Sequence, residues 1–144
     1  MSNQAARAAT PAATPAATGM TLRHATKANA PQVPGRRDFM TYQDLGVTQA
    51  SEGKLRAQVM SIVKEMSAPT GWHYHECEGQ FIYALQGWVD LEFETGEKIR
   101  VSKGESLYVP GGLRHNETST SDDLEILELS IPADMGTVAC DPPA

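Results

Sequence analysis

Hydrophobic and polar residues alternate with period two along most of the chain after residue 38, the repeat of a strand whose two faces meet different surroundings. Leu55 to Met66 places Leu55, Ala57, Val59 and Val63 on one parity and Arg56, Gln58, Met60, Ile62 and Lys64 on the other. Neither face is purely polar, as expected where one lines a pocket and the other packs. Trp88 to Glu94 alternates cleanly, Val89, Leu91 and Phe93 against Asp90, Glu92 and Glu94, and Thr95-Gly96 turns it back into Glu97 to Ser102. Further strands are predicted over Gln80 to Leu85, Ser106 to Val109 and Leu124 to Ile131, the last stopped by Pro132. Ahead of these, Phe39, Met40, Tyr42, Leu45 and Val47 suggest a strand or turn packed on the end of the same body. About eight short strands without a helical pattern between them predict an all-β barrel or sandwich.

Residues 1–34 break this pattern. They are rich in Ala, Thr and Pro, with the near-repeat Ala-Thr-Pro-Ala-Ala-Thr-Pro-Ala-Ala-Thr, and offer little apolar surface to offset the entropy of ordering. The expectation is a flexible arm, with His24 a solvated histidine, joined to one domain over 35–144. The start is acid-poor and Arg-containing, as transit peptides are, but Pro11, Pro15, Pro31 and Pro34 interrupt any amphipathic helix. Gly35-Arg36-Arg37 superficially resembles a twin-arginine signal, without the apolar segment that should follow. Residues 1–37 hold five bases and no acid, which leaves seven bases against 18 acids in 38–144, a formal charge of −11. So acidic a body repels a phosphate backbone, and nucleic acid is not expected as a partner. No apolar run reaches the length of a membrane span. Two cysteines, Cys77 and Cys140, are too few for a disulfide framework and fit a reducing, cytoplasmic setting.

The chemistry gathers around Gly71-Trp72-His73-Tyr74-His75-Glu76-Cys77-Glu78-Gly79-Gln80. On a strand His73 and His75 share a face, and His115, following Pro110-Gly111-Gly112, supplies a third imidazole. Converging imidazoles are the usual donors for iron, nickel, zinc, copper or manganese.

At these residues the chain resembles the cupin superfamily, small β-barrels built around two motifs. The first, His-x-His, three or four residues, Glu, six residues, Gly, is met by His73, His75, Gln80 and Gly87, with Gln in the place of Glu. The second, Gly, five residues, Pro-x-Gly, two residues, His, three residues, Asn, is met by Gly104, Pro110, Gly112 and His115, with Ser119 in the place of Asn. The motifs occupy 71–87 and 104–119, and the resemblance extends over roughly residues 55–132. It implies a single jelly-roll-type cupin barrel with a pocket for one divalent transition metal, Fe2+ favoured and Ni2+, Zn2+ or Mn2+ as alternatives. It implies no particular reaction, because one fold hosts many chemistries.

Counting back from Gly87 selects Gln80 as fourth ligand; Glu78 is the alternative, and Cys77 a more distant one. The choice sets the charge of the site. Three histidines and a glutamine leave a divalent ion at +2, whereas a glutamate lowers it to +1, so the neutral set gives a stronger Lewis acid and makes oxidation of the metal harder. Arg56 is a candidate carboxylate-binding residue and Glu128 a candidate acid/base group. Arg114 has the parity opposite to His115 and is expected at the surface or an interface; Trp72, Tyr83 and Tyr108 are expected to pack.

Three functions follow from the resemblance. One is a non-haem iron dioxygenase cleaving a β-dicarbonyl or other small enolisable substrate, as three-histidine iron cupins do. Another is an isomerase or lyase that enolises a sugar-derived keto acid, as three-histidine, one-glutamine cupins do with unsaturated uronates, although the aromatic and arginine of that group are not evident around Glu128 to Asp134. The third is a non-catalytic small-molecule-binding module. A homodimer is expected, because pairing hides sheet edges.

Overall fold

A computed structural model describes residues 19–144. The chain runs through β1 (Gln32–Pro34), β2 (Met40–Asp44), the single-turn helix α1 (Val47–Ala50), β3 (Arg56–Ile62), β4 (His73–Glu76), β5 (Gly79–Gln86), β6 (Trp88–Phe93), β7 (Lys98–Ser102), β8 (Ser106–Pro110), β9 (His115–Thr120), β10 (Glu125–Ile131) and β11 (Gly136–Ala139). Two antiparallel sheets face each other, one ordered β1-β2-β3-β10-β5-β8 and the other β11-β4-β9-β6-β7. This is the all-β architecture that the alternation predicts, in the jelly-roll form that the cupin resemblance implies.

The alternation is converted directly into burial. On β6, Val89, Leu91 and Phe93 are almost fully buried while Asp90 and Glu92 are not. They meet Met40, Met60, Ile82, Ala84, Val109 and Ile126 of the other sheet, and fully buried Leu124 closes one end. Burying a side chain of this size stabilises by about 1.5–3 kcal/mol. The β5–β6 corner turns at Gly87, with φ 70°, where any Cβ would collide with Ser121 and Asp123. Only glycine fits that corner.

The structure differs from the expected arm over residues 19–34. β1 pairs with β2 in the register Val33↔Tyr42, extending the six-stranded sheet, and Ala30 is buried. The Thr21 amide donates to the Ala50 carbonyl at 3.0 Å, and Arg23 Nε to the Leu45 carbonyl at 3.1 Å. Backbone pairing and polar side chains, Arg23, Asn29 and Gln43 among them, hold this stretch, which is why apolar periodicity does not reveal it. The rest of the predicted arm, 1–18, lies outside the described residues. Two further elements depart from expectation: α1, which follows Gly46 in the left-handed region (φ 75°), and β11, which pairs with β4. No helix among the described residues is long and apolar enough to cross a membrane.

Candidate metal centre

Residues far apart in sequence meet where β4, β9 and β11 lie side by side. β4 carries His73 and His75 on its inner face, and His73 lies directly opposite His115 of β9. The approach to His115 is fixed by the turn before it: the Gly111 amide donates to the Glu78 carbonyl at 3.1 Å and the Gly112 amide to the His75 carbonyl at 2.9 Å. A Cβ at Gly111 would overlap the Cys77 carbonyl, so this close approach requires glycine.

The three rings are buried, with centroids 4.4–5.2 Å apart, and one nitrogen of each lies within 4.8 Å of the others. Every Nδ1 is engaged on the far side: His73 with the Gly71 carbonyl at 2.7 Å, His115 with the Leu113 carbonyl at 2.9 Å, and His75 with the Thr137 hydroxyl at 3.0 Å. A carbonyl accepts only, so His73 and His115 carry their proton on Nδ1 and turn the Nε2 lone pair inward. Burial lowers the pKa of His73, and lowers that of His75 to about 4 with help from His115 and His73, so both are neutral at pH 7. His73 Nε2 is buried without a hydrogen-bond partner. An orphaned Nε2 among imidazoles each braced by an outer partner fits a divalent cation. The site is a three-histidine site able to bind a metal.

A cavity of about 270 Å³ opens beside it, with His75, Gln80 and His115 on its wall. Gln80 enters from β5, opposite Val109, and is buried; Glu78 is exposed in the β4–β5 turn and Cys77 half-buried. Neither Glu78 nor Cys77 joins the histidine cluster among the described residues. Arg56 and Glu128 both line the cavity, and Gln58 Nε2 donates to Glu128 at 2.7 Å. Burial raises the Glu128 pKa, only partly offset by Gln58 and Arg56. Arg114 is exposed near Glu94, and Tyr83 and Tyr108 are exposed on the outer face.

Sequence reasoning missed Glu117. It follows His115 by two residues and therefore shares its face, a signal available in the strand period. Its carboxylate lies 3.6 Å from His73 Nε2 and accepts a hydrogen bond from the Thr70 hydroxyl. Burial opposes its ionisation, yet His73, Thr70 and His115 together draw its pKa below the ordinary value. Neighbouring Asn116 accepts the Gly71 amide at 2.9 Å and donates to Glu92 at 2.9 Å, which steadies the carbonyl behind His73. Also missed were Arg36 and Tyr42 on the cavity wall and Thr137 behind His75.

A two-sheet barrel with three histidines turned into its interior defines a small β-barrel protein with a metal-ligating pocket. The chain belongs to the cupin family: the Cupin domain matches residues 59–131. Among solved structures it is similar to KdgF from Halomonas sp., at 22% identity over 78% of this chain and 94% of that one, TM-score 0.64. The polyketide cyclase RemF from Streptomyces resistomycificus matches at 17% identity over 85% and 90%, TM-score 0.67. Hydroxypropylphosphonic acid epoxidase from S. wedmorenis matches at 14% identity over 77% and 59%, TM-score 0.62. At these identities the likeness is one of fold. No curated protein matches the chain.

Proposed function

We propose that this cupin is a metal-dependent enzyme that moves protons on a small enolisable carbonyl compound, an isomerase or lyase rather than an oxygenase. The observation that carries the reading is the pair of carboxyl groups, Glu117 and Glu128, facing the same cavity as His75 and His115 of the histidine site. His73, His75 and His115 would hold the metal, with Gln80 as fourth ligand. A divalent ion with four neutral ligands supplies Lewis acidity, raising the acidity of the C–H bonds beside a carbonyl.

The chain's own groups do the rest. Glu117, braced by Thr70 beside the histidines, takes the proton from that carbon. Glu128, whose hold on a proton burial strengthens and which Gln58 orients, returns one elsewhere on the substrate. Exchange with water at the cavity mouth restores both. Met60, Ile82, Leu91 and Val109 keep the remaining walls apolar, which strengthens each polar contact inside. A polyketide cyclase and an epoxidase both stand among the structural neighbours, so the fold accommodates either chemistry and the carboxyl pair carries the choice.

The deciding experiment incubates the protein, loaded in turn with Fe2+, Ni2+, Zn2+ or Mn2+, with diketones and keto acids in D2O, following both C–H exchange and oxygen uptake. Exchange without oxygen uptake is expected, reduced about 10²–10⁴-fold in Glu117→Gln or Glu128→Gln. Oxygen consumed with substrate cleavage and no exchange would establish the dioxygenase and overturn this reading. A homodimer in a reducing cytoplasm completes the proposal, supported by the unpaired outer edge of β8, exposed Tyr83, Leu85 and Tyr108 beside it, and two free cysteines.

A further inference from the structure

Two arginines face the cavity from different elements, Arg56 at the start of β3 and Arg36 in the β1–β2 connection. Among the described residues neither makes an ion pair or a side-chain hydrogen bond. Their neighbours are held in place. Arg37 donates to the Thr70 carbonyl, and Asp38 pairs with Lys64 at 2.7 Å. The Gly35 and Met40 backbones close the hairpin, amide to carbonyl, at 2.9 Å. Arg36 is thus presented to the cavity by an anchored turn, and among the described residues its guanidinium has no hydrogen-bond partner.

Arg36 is exposed and Arg56 half-buried, so both can reach into the cavity from its solvent side. The nearby acids are engaged elsewhere: Glu128 accepts a hydrogen bond from Gln58, and Glu117 is turned to Thr70 and His73. We infer that Arg36 and Arg56 form an oxyanion clamp, and that the substrate is a small carboxylate whose carboxyl group sits at the mouth and whose carbonyl reaches the histidines. The guanidinium fork matches a carboxylate in two parallel hydrogen bonds, and two forks from separate elements orient it as well as bind it.

This deepens the proposed proton-transfer function and rests on it for the carbonyl end alone. A cavity of about 270 Å³ takes a small keto acid whole. A hairpin whose first strand lies in the stretch that composition assigns to a flexible arm therefore selects the substrate.

The test uses acetoacetate, its neutral near-isostere acetoacetamide and 2-oxopropylphosphonate, titrated calorimetrically into metal-loaded full-length protein. Wild type is expected to bind acetoacetate at least tenfold more tightly than the amide. Arg36→Gln and Arg56→Gln should each weaken acetoacetate about 10–100-fold, the loss of a charge-assisted pair, and leave the amide within about twofold. Arg36→Lys should recover part of the affinity, since charge returns without the fork. Equal wild-type binding of acid and amide, parallel losses of both in the variants, or no binding of any probe overturns the clamp. Tighter binding of the phosphonate overturns the carboxylate class. Charge selectivity without deuterium exchange at the acetoacetate methylene refutes the proposed reaction and leaves the clamp standing; exchange on neutral diketones without charge selectivity does the reverse.

Discussion

Replacing Thr137 by Val tests how the histidine site is braced. His73 and His115 hold their Nδ1 protons against backbone carbonyls, which mutation does not remove, whereas His75 leans on the side-chain hydroxyl of Thr137 at 3.0 Å. Val is nearly isosteric, keeps the β-branch that suits β11, and deletes only that oxygen. The lost hydrogen bond is worth about 0.5–1.5 kcal/mol to the metal-free fold, a shift of a few degrees in Tm. Its effect on metal should be larger, because an unbraced imidazole must be reoriented whenever it ligates. Loss of an outer partner of a ligating histidine typically costs about 10–100-fold in affinity, equivalent to about 1.4–2.7 kcal/mol. The assay is competition for Zn2+ or Fe2+ with a chromophoric chelator, run beside thermal melts of metal-free protein. Wild-type affinity in Thr137→Val at unchanged metal-free Tm would refute the bracing argument, and no measurable metal binding by wild type would refute the site.

Gln80→Glu should keep the metal but reduce the site charge from +2 to +1, so that anions bind more weakly, while Glu78→Gln in the exposed turn should change neither; the reverse pattern in chelator competition and anion titrations would place Glu78 on the metal. Glu128 holds its proton more tightly folded than unfolded, so its stabilising contribution is full below the ordinary value of 4.5 and disappears as pH rises through its raised pKa. Metal-free Glu128→Gln should accordingly gain Tm relative to wild type as pH rises from 4, then level off; parallel curves from pH 4 to 8 would contradict this. Truncation to Gly35 should lower Tm by about 5–10 °C, since it removes β1, buried Ala30 and the Arg23 hydrogen bonds, and an unchanged midpoint would show that this stretch contributes nothing.

The period-two pattern by itself determined most of the barrel. Val89, Leu91 and Phe93 face inward because a strand puts alternate side chains on one face, and the same rule placed His73 beside His75. The glycines at 87, 111 and 112 and the proline at 110 marked the turns that return the chain to the site. Applied once more, the rule would have placed Glu117 beside His115.

The neighbours across strands were decided only by the tertiary structure. Thr137 stands behind His75 because β11 pairs with β4 over 60 residues of intervening chain, and no local pattern encodes a partner that distant. Likewise Arg36 and Tyr42 reach the cavity because β2 pairs with β3, through backbone hydrogen bonds common to all residue types. Side-chain alternation tells which way a residue faces; sheet order, settled by packing the two apolar faces together, tells what it meets there.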